Sequence, residues 1–544
     1  MNLLSYDLII KNGRVLDGTG NPWCSSDIGI KDGFIKKIGI VTGDATKIID
    51  ASKLVVCPGF IDIHSHSDFA IPFDPRLEST IRQGITTIVV GNCGDSLAPI
   101  NIEKIDLLKK LISMFTPPGE TLEITWQTFQ EYLKVIEKSK CSTNIIPLVG
   151  FGTIRIAGGP GFEERQPTNK ELDQMKAYVG EAMQAGAFGM STGLIYTPQI
   201  YAKTEEIVEL AKVVAKYGGL YFSHIRNEGS RVIEAIEELI EIVEKSGCRG
   251  GQIAHHKVSG PANWGKSIQT LKLISRANER GLNISCDQYP YNRGMTSLIT
   301  VLPPWVHIGG VESIIERLQN LEDRERIKND IKEGIEGWEN WYKSLGVDKI
   351  YIASVKTSLW KNIEGKNLVE ITKLKRKKDE FETLFDLLVE EKGEVSITVE
   401  GMEEEDICRI MTGKYTMIGT DGRGVSPTGP LSHGKPHPRF YGTHPRILGK
   451  YVREEGLLTL ETAIRKMTSF PAQKLGLNDR GLISSGKCAD LVVFDPSSVI
   501  DQATYDNPHQ FPIGIKHVLV NGEIVVENEH QTSILPGKVL KHTA

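Results

Sequence analysis

The chain has 544 residues, enough for more than one domain, and its 40% apolar and 24% charged content is that of an ordinary soluble globular protein. Sixty-four Lys and Arg against 69 Asp and Glu leave a net charge of −5, which excludes a general affinity for nucleic acid or for anionic membranes. No run approaches the ~18 continuous apolar residues of a membrane span. Residues 1–7 lack the regions of a signal peptide. Eight cysteines without framework spacing point to reduced thiols, hence to a cytoplasmic protein.

Short alternating strands open the chain at 7–11, 13–16, 28–30 and 35–38, with Asn12-Gly13 and Asp32-Gly33 as hairpin signals. Similar strands close it at 489–495 and 518–526, around Asn521-Gly522. Neither end is large enough for a strong core alone, so residues 1–57 and 482–544 are expected to pair into one small β-sandwich. Between them, apolar strand-like runs alternate with amphipathic helical stretches such as 231–245 and 267–280, the βα rhythm of a parallel sheet. Strands are expected at 55–63, 85–90, 144–149, 187–190, 219–223, 252–254, 283–286 and 415–419. Eight of them suggest a closed (β/α)8 barrel of the TIM type over 58–481. The connection after the seventh, 292–414, is far longer than a usual βα loop and reads as an inserted subdomain or lid. The basic run at 373–378 inside it reads as a solvated helix face.

In such a barrel the reactive groups stand at the C-terminal ends of the strands. The first end carries His64 and His66, whose i, i+2 spacing puts both imidazoles on one side. The second carries Gly91-Asn92-Cys93-Gly94, the fifth Ser223-His224-Ile225-Arg226, the sixth His255-His256-Lys257 and the eighth Gly419-Thr420-Asp421-Gly422. Imidazoles and a cysteine converging from several strand ends suit a metal site. Asp421 is placed to act as general base and then general acid in a metal-assisted hydrolysis.

These motifs resemble those of the amidohydrolase superfamily, and within it the D-aminoacylase (N-acyl-D-amino-acid deacylase) family. The elements that carry the resemblance are Pro-Gly-Phe-Ile-Asp-x-His-x-His-x-Asp from Pro58, Gly-Asn-Cys-Gly, Ser-His-x-Arg-x-Glu, His-His-Lys, Tyr-Pro-Tyr from Tyr289 and Gly-Thr-Asp-Gly, in that order. The resemblance implies a tightly bound Zn²⁺ on Cys93, His224 and a strand-six histidine, read here as His255, with His64 and His66 framing a weaker second position. His256 should then face away. It also implies a small N-acylated amino acid as substrate, its α-carboxylate meeting Lys257, Tyr289 and a group from the loop after Tyr291. Arg293 is a bidentate candidate for that group, and Tyr196 is a candidate pocket wall. Met295 stands where a carboxylate-binding serine is common, with Thr296 or Ser297 as substitutes. The segment holding His433, His437 and His444 is read as a loop shaping the mouth. Cyclic amidohydrolases usually bridge two metals with a carboxylated lysine, whereas the strand-four end here reads Met190-Ser191-Thr192-Gly193. Hydrolysis of cyclic amides, of unusual dipeptides, or a non-catalytic scaffold role remain the alternatives.

Overall fold

The computed structural model describes residues 5–543, so that the first four residues of the segment examined for a signal peptide lie outside it. Eight parallel strands form the centre: Phe60–Asp62, Ile85–Val90, Asn144–Pro147 (continued by Val149–Gly150), Gly189–Gly193, Leu220–His224, Gly251–Ile253, Ile284–Gln288 and Thr416–Ile418. Each pairs in parallel with the next. The ring closes beyond the last and first strands, where Ser65 bridges Gly422 and the Asp421 N–H donates to the His64 carbonyl at 2.9 Å. Closure therefore happens at functional positions and brings the His64–His66 turn beside Asp421. Helices such as Asn169–Ala185, Thr204–Lys216, Val232–Ser246 and Ser267–Glu279 turn their apolar faces onto the ring. The arrangement matches the expected (β/α)8 barrel.

The two chain ends meet in one nine-stranded sheet, joined where Val55–Pro58 pairs antiparallel with Leu491–Phe494. The expected single strand at 55–63 is thus two. Val55–Pro58 belongs to the terminal sheet and Phe60–Asp62 to the barrel, with the break at Gly59. A Cβ there would come within 2.1 Å of the Thr86 hydroxyl, so only glycine lets the chain cross from one sheet to the other. Alternation along these strands serves two cores. Val56, Leu491 and Val493 pack with Ile10, Ile30 and Leu519 inside the terminal sheet, whereas Val55, Cys57, Val492 and Phe494 face the barrel core. The last residues leave this sheet. Val539 bridges Ile145, and Leu540 packs against Ile61, Ile146 and Phe222 of the barrel.

Residues 293–400 contribute a three-stranded antiparallel sheet, Arg293–Ser297, Ile350–Ser354 and Ser396–Glu400, with helices and an apolar core of their own. Gly294, Met295, Thr296, Ser297, Leu302 and Ile314 of this insert, together with the strand ends, line one cleft. Among the described residues no helix is long and apolar enough to cross a membrane.

Candidate metal centre

Three of the strand-end residues, Cys93, His255 and Asp421, adopt left-handed backbone at φ 54°, 35° and 46°. For a residue with a Cβ this conformation costs on the order of 1–3 kcal/mol, a strain that native chains retain chiefly at functional sites. Here it turns each side chain inward over the barrel axis. The glycines beside Cys93 have a steric reason. A Cβ at Gly91 would meet the Leu148 carbonyl at 2.2 Å, and one at Gly94 the Gln199 side chain at 1.9 Å. Asp62 anchors the strand-eight end, accepting from the Thr420 N–H at 2.8 Å and the Thr420 hydroxyl at 2.6 Å.

The Cys93 thiol lies 3.4 Å from His64 Nε2, 3.5 Å from His255 Nε2 and 3.9 Å from His224 Nδ1. Tetrahedral zinc, with Zn–S near 2.3 Å and Zn–N near 2.05 Å, requires S···N separations of about 3.6 Å. The observed separations of 3.4–3.9 Å bracket that value. Two overlapping triplets qualify, Cys93–His224–His255 and His64–His66–Cys93, and a third joins His64 and His255 to Asp421. Burial and the nearby Asp421 charge push the Cys93 thiol well above its usual value, so a metal ion must displace its proton.

Around these groups stand two carboxylates. Asp287 Oδ1 accepts the His255 backbone N–H at 2.8 Å and lies 3.3 Å from His64 Nδ1, which leaves His64 Nε2 facing the thiol. Glu228 Oε1 lies 3.1 Å from His255 Nδ1, 3.6 Å from His224 Nε2 and 2.7 Å from Lys257 Nζ. Lys257 Nζ lies 2.8 Å from the same His255 Nδ1, and His255 Nε2 faces the thiol. His256 is turned away to the Thr270 hydroxyl, 2.9 Å from its Nε2.

Asp421 spans the cluster. Its Oδ1 lies 3.3 Å from His66 Nε2 and 3.5 Å from His64 Nε2, and its Oδ2 receives Arg439 Nη2 at 2.9 Å. Burial alone would raise this carboxyl, but Arg439 and the surrounding imidazoles hold it well below the usual carboxylate range. It is ionised at neutral pH. Arg439 is 2% exposed, its Nε and Nη1 have no partner, and its guanidinium lies 4.4 Å from the Tyr289 ring. The Tyr289 hydroxyl is likewise buried and unpartnered, and the Lys257 ammonium is 5.7 Å from the same ring. Tyr196 lines the cleft beside His224, ring centroids 4.9 Å apart.

Two expectations are corrected. Arg293 is not a free anion receiver: Glu400, its cross-strand partner, takes its Nη2 and Nε at 3.0 and 3.2 Å, and Tyr351 and Tyr505 lie at 3.8 and 4.2 Å from the guanidinium. The segment through His444 is not all loop, because a helix runs over Arg439–Arg446. Pro438 at its N-cap, with φ preset for a helical start, begins it and fixes the angle at which Arg439 enters the cleft. His437 pins that start by accepting the Arg439 N–H at 3.0 Å. Asp287, Glu228 and Arg439 went unassigned in the sequence. Their signals are the period-two relation of Asp287 to Tyr289, and the last positions of Ser-His-x-Arg-x-Glu and Pro-His-Pro-Arg. At the strand-four end, Ser191 bonds the Gly94 N–H at 2.9 Å, and no lysine is present there to bridge two metals.

Comparison with known proteins agrees with this geometry. The Amidohydrolase family profile matches residues 416–526. The chain is 34% identical to the D-aminoacylase of Alcaligenes xylosoxydans xylosoxydans over 99% of this chain and 98% of that one. It is 35% identical to the N-acyl-D-glutamate deacylase of the same organism, over 99% and 97%. The crystal structure of the Bordetella bronchiseptica N-acyl-D-glutamate deacylase, complexed with zinc and a phosphonate mimic of the tetrahedral intermediate, superposes with a TM-score of 0.81 at 33% identity, covering 99% of this chain and all of that one. This chain belongs to the D-aminoacylase family of metal-dependent amidohydrolases.

Proposed function

We propose that the protein hydrolyses the amide bond of N-acyl-D-amino acids, releasing a carboxylate and a D-amino acid, with zinc as its metal. The observation that carries this reading is the placement of an ionised Asp421 between the Cys93–His224–His255 cluster and a set of unsatisfied buried donors. Cys93, His224 and His255 would hold a tight zinc, and His64 and His66 a weaker second one. The metal would polarise the scissile carbonyl and acidify water. Asp421 accepts the proton of the attacking water and returns it to the leaving nitrogen as the C–N bond breaks. Lys257, the Tyr289 hydroxyl and the free Nε and Nη1 of Arg439 receive the α-carboxylate, a group with enough acceptor oxygens for all of them. Tyr196 forms a wall beside the reacting amide.

The test is a panel of N-acetyl D- and L-amino acids and cyclic amides, assayed with the zinc-loaded protein. Turnover of the linear D-series is expected, falling on the order of 10²- to 10⁴-fold in Asp421→Asn. Hydrolysis confined to ring amides overturns the assignment.

A further inference from the structure

Four acidic side chains, Asp95, Glu228, Glu394 and Asp421, line the cleft. Lys110, Lys257, Arg423 and Arg439 all line it. Lys110 pairs with Glu312 at 2.8 Å, Lys257 with Glu228 at 2.7 Å and Arg439 with Asp421 at 2.9 Å. Among the described residues, Arg423 alone of these four has no carboxylate within ion-pair distance. Among the described residues its side chain makes one hydrogen bond, from Nη1 to the Phe115 carbonyl at 3.0 Å. Asp95 shares the cleft but makes no ion pair with it. A cation held in a partly dehydrated cleft without a counter-charge is costly unless something else supplies one.

Its position is built rather than accidental. Arg423 follows Asp421 by two residues, between Gly422 and Gly424. A Cβ at Gly424 would meet Leu77 at 2.5 Å, and one at Gly422 would meet Phe440 at 3.0 Å, so the strand-eight loop is pressed against the barrel rim. Phe115, whose carbonyl holds the guanidinium, stacks on His66 with ring centroids 6.4 Å apart. Arg423 thus stands on the His66 wall. Lys257, Tyr289 and Arg439 gather around the Tyr289 ring. The two receivers flank Asp421 from different walls of one cleft.

We propose that Arg423 receives a second carboxylate of the substrate, so that the preferred N-acyl-D-amino acid is a dicarboxylate. That second group sits either on the amino-acid side chain or on the acyl chain. The guanidinium presents a planar fork suited to bidentate pairing with it. This inference rests on the deacylase reading above.

The experiment measures kcat/KM of the zinc-loaded enzyme for matched pairs that differ only in that charge. N-acetyl-D-glutamate against N-acetyl-D-glutamine probes the side chain, and N-succinyl-D-leucine against N-succinamoyl-D-leucine probes the acyl group. In one of the two pairs the carboxylate should be preferred roughly 10- to 100-fold. Arg423→Met should collapse that ratio towards one, and Arg423→Lys should retain part of it. Equal rates within both pairs, or a ratio indifferent to Arg423→Met while general N-acetyl-D-amino acid turnover persists, overturn the proposal alone. Absence of turnover with every linear substrate overturns it together with the deacylase reading.

Discussion

Replacing Asp287 with Asn keeps the shape of a buried side chain and removes its charge. Asp287 accepts two hydrogen bonds, the His255 N–H at 2.8 Å and Gln252 Nε2 at 2.8 Å, and faces His64 Nδ1 at 3.3 Å. The Gln252 contact is replaceable. The Gln252 amide can turn over, giving its oxygen to the new Asn NH2 and its nitrogen to the Ser285 hydroxyl now 2.6 Å from Gln252 Oε1. The other two change from charge-assisted to neutral acceptors, a loss of about 1 kcal/mol each. Together about 2 kcal/mol corresponds to roughly 30-fold, within the range for groups that orient metal ligands from behind. Asp287→Asn should therefore weaken zinc binding by that factor, measured by competition with a chromophoric chelator. Excess zinc should restore most of kcat. An unchanged zinc affinity with a lowered unfolding midpoint would refute the reasoning, because it would make Asp287 a fold element and not a positioning residue.

Cys93→Ala removes the donor shared by two of the ligand triplets, so zinc content by atomic absorption should fall below half an equivalent under conditions that saturate the wild type. Arg439→Met and Lys257→Met should raise KM for N-acyl-D-amino acids roughly tenfold or more, and Arg293→Met, its charge already spent on Glu400, should leave KM within about twofold. His444 is fully buried, stacked on Phe60 with centroids 5.3 Å apart, and neither ring nitrogen has a partner. Burial pushes its pKa down to about 3, so the unfolded chain binds a proton near pH 6.5 that the folded chain refuses. The stability lost through His444 is therefore nil above pH 6.5 and grows as the pH drops. His444→Phe should raise the unfolding free energy by about 1 kcal/mol at pH 7.5 and by about 2 kcal/mol more at pH 5, read from urea unfolding at both pH values.

The groups at strand ends were legible because each closes an apolar run, and a polar residue there has one place to point. His64, Cys93, His224, His255 and Asp421 could be found without knowing which strand neighbours which. The groups that act across the barrel are of another kind. Asp287 looks like any buried polar residue until strand seven is set beside His64, more than two hundred residues earlier in the chain. Glu228 lies past the strand-five end and acts on Lys257 and His255 of the next strand. Arg293 and Arg439 make the same point in opposite directions. In the sequence both are arginines in Pro- or Gly-flanked segments, and the earlier one follows the Tyr-Pro-Tyr motif more closely. What separates them is register: the antiparallel pairing of 293–297 with 396–400 sets Arg293 opposite Glu400 and neutralises it. The Pro438 helix start aims Arg439 at Asp421 with two donors to spare. A charge becomes a binding group through what its neighbours leave unsatisfied, and that balance is set by long-range pairing that no local pattern encodes.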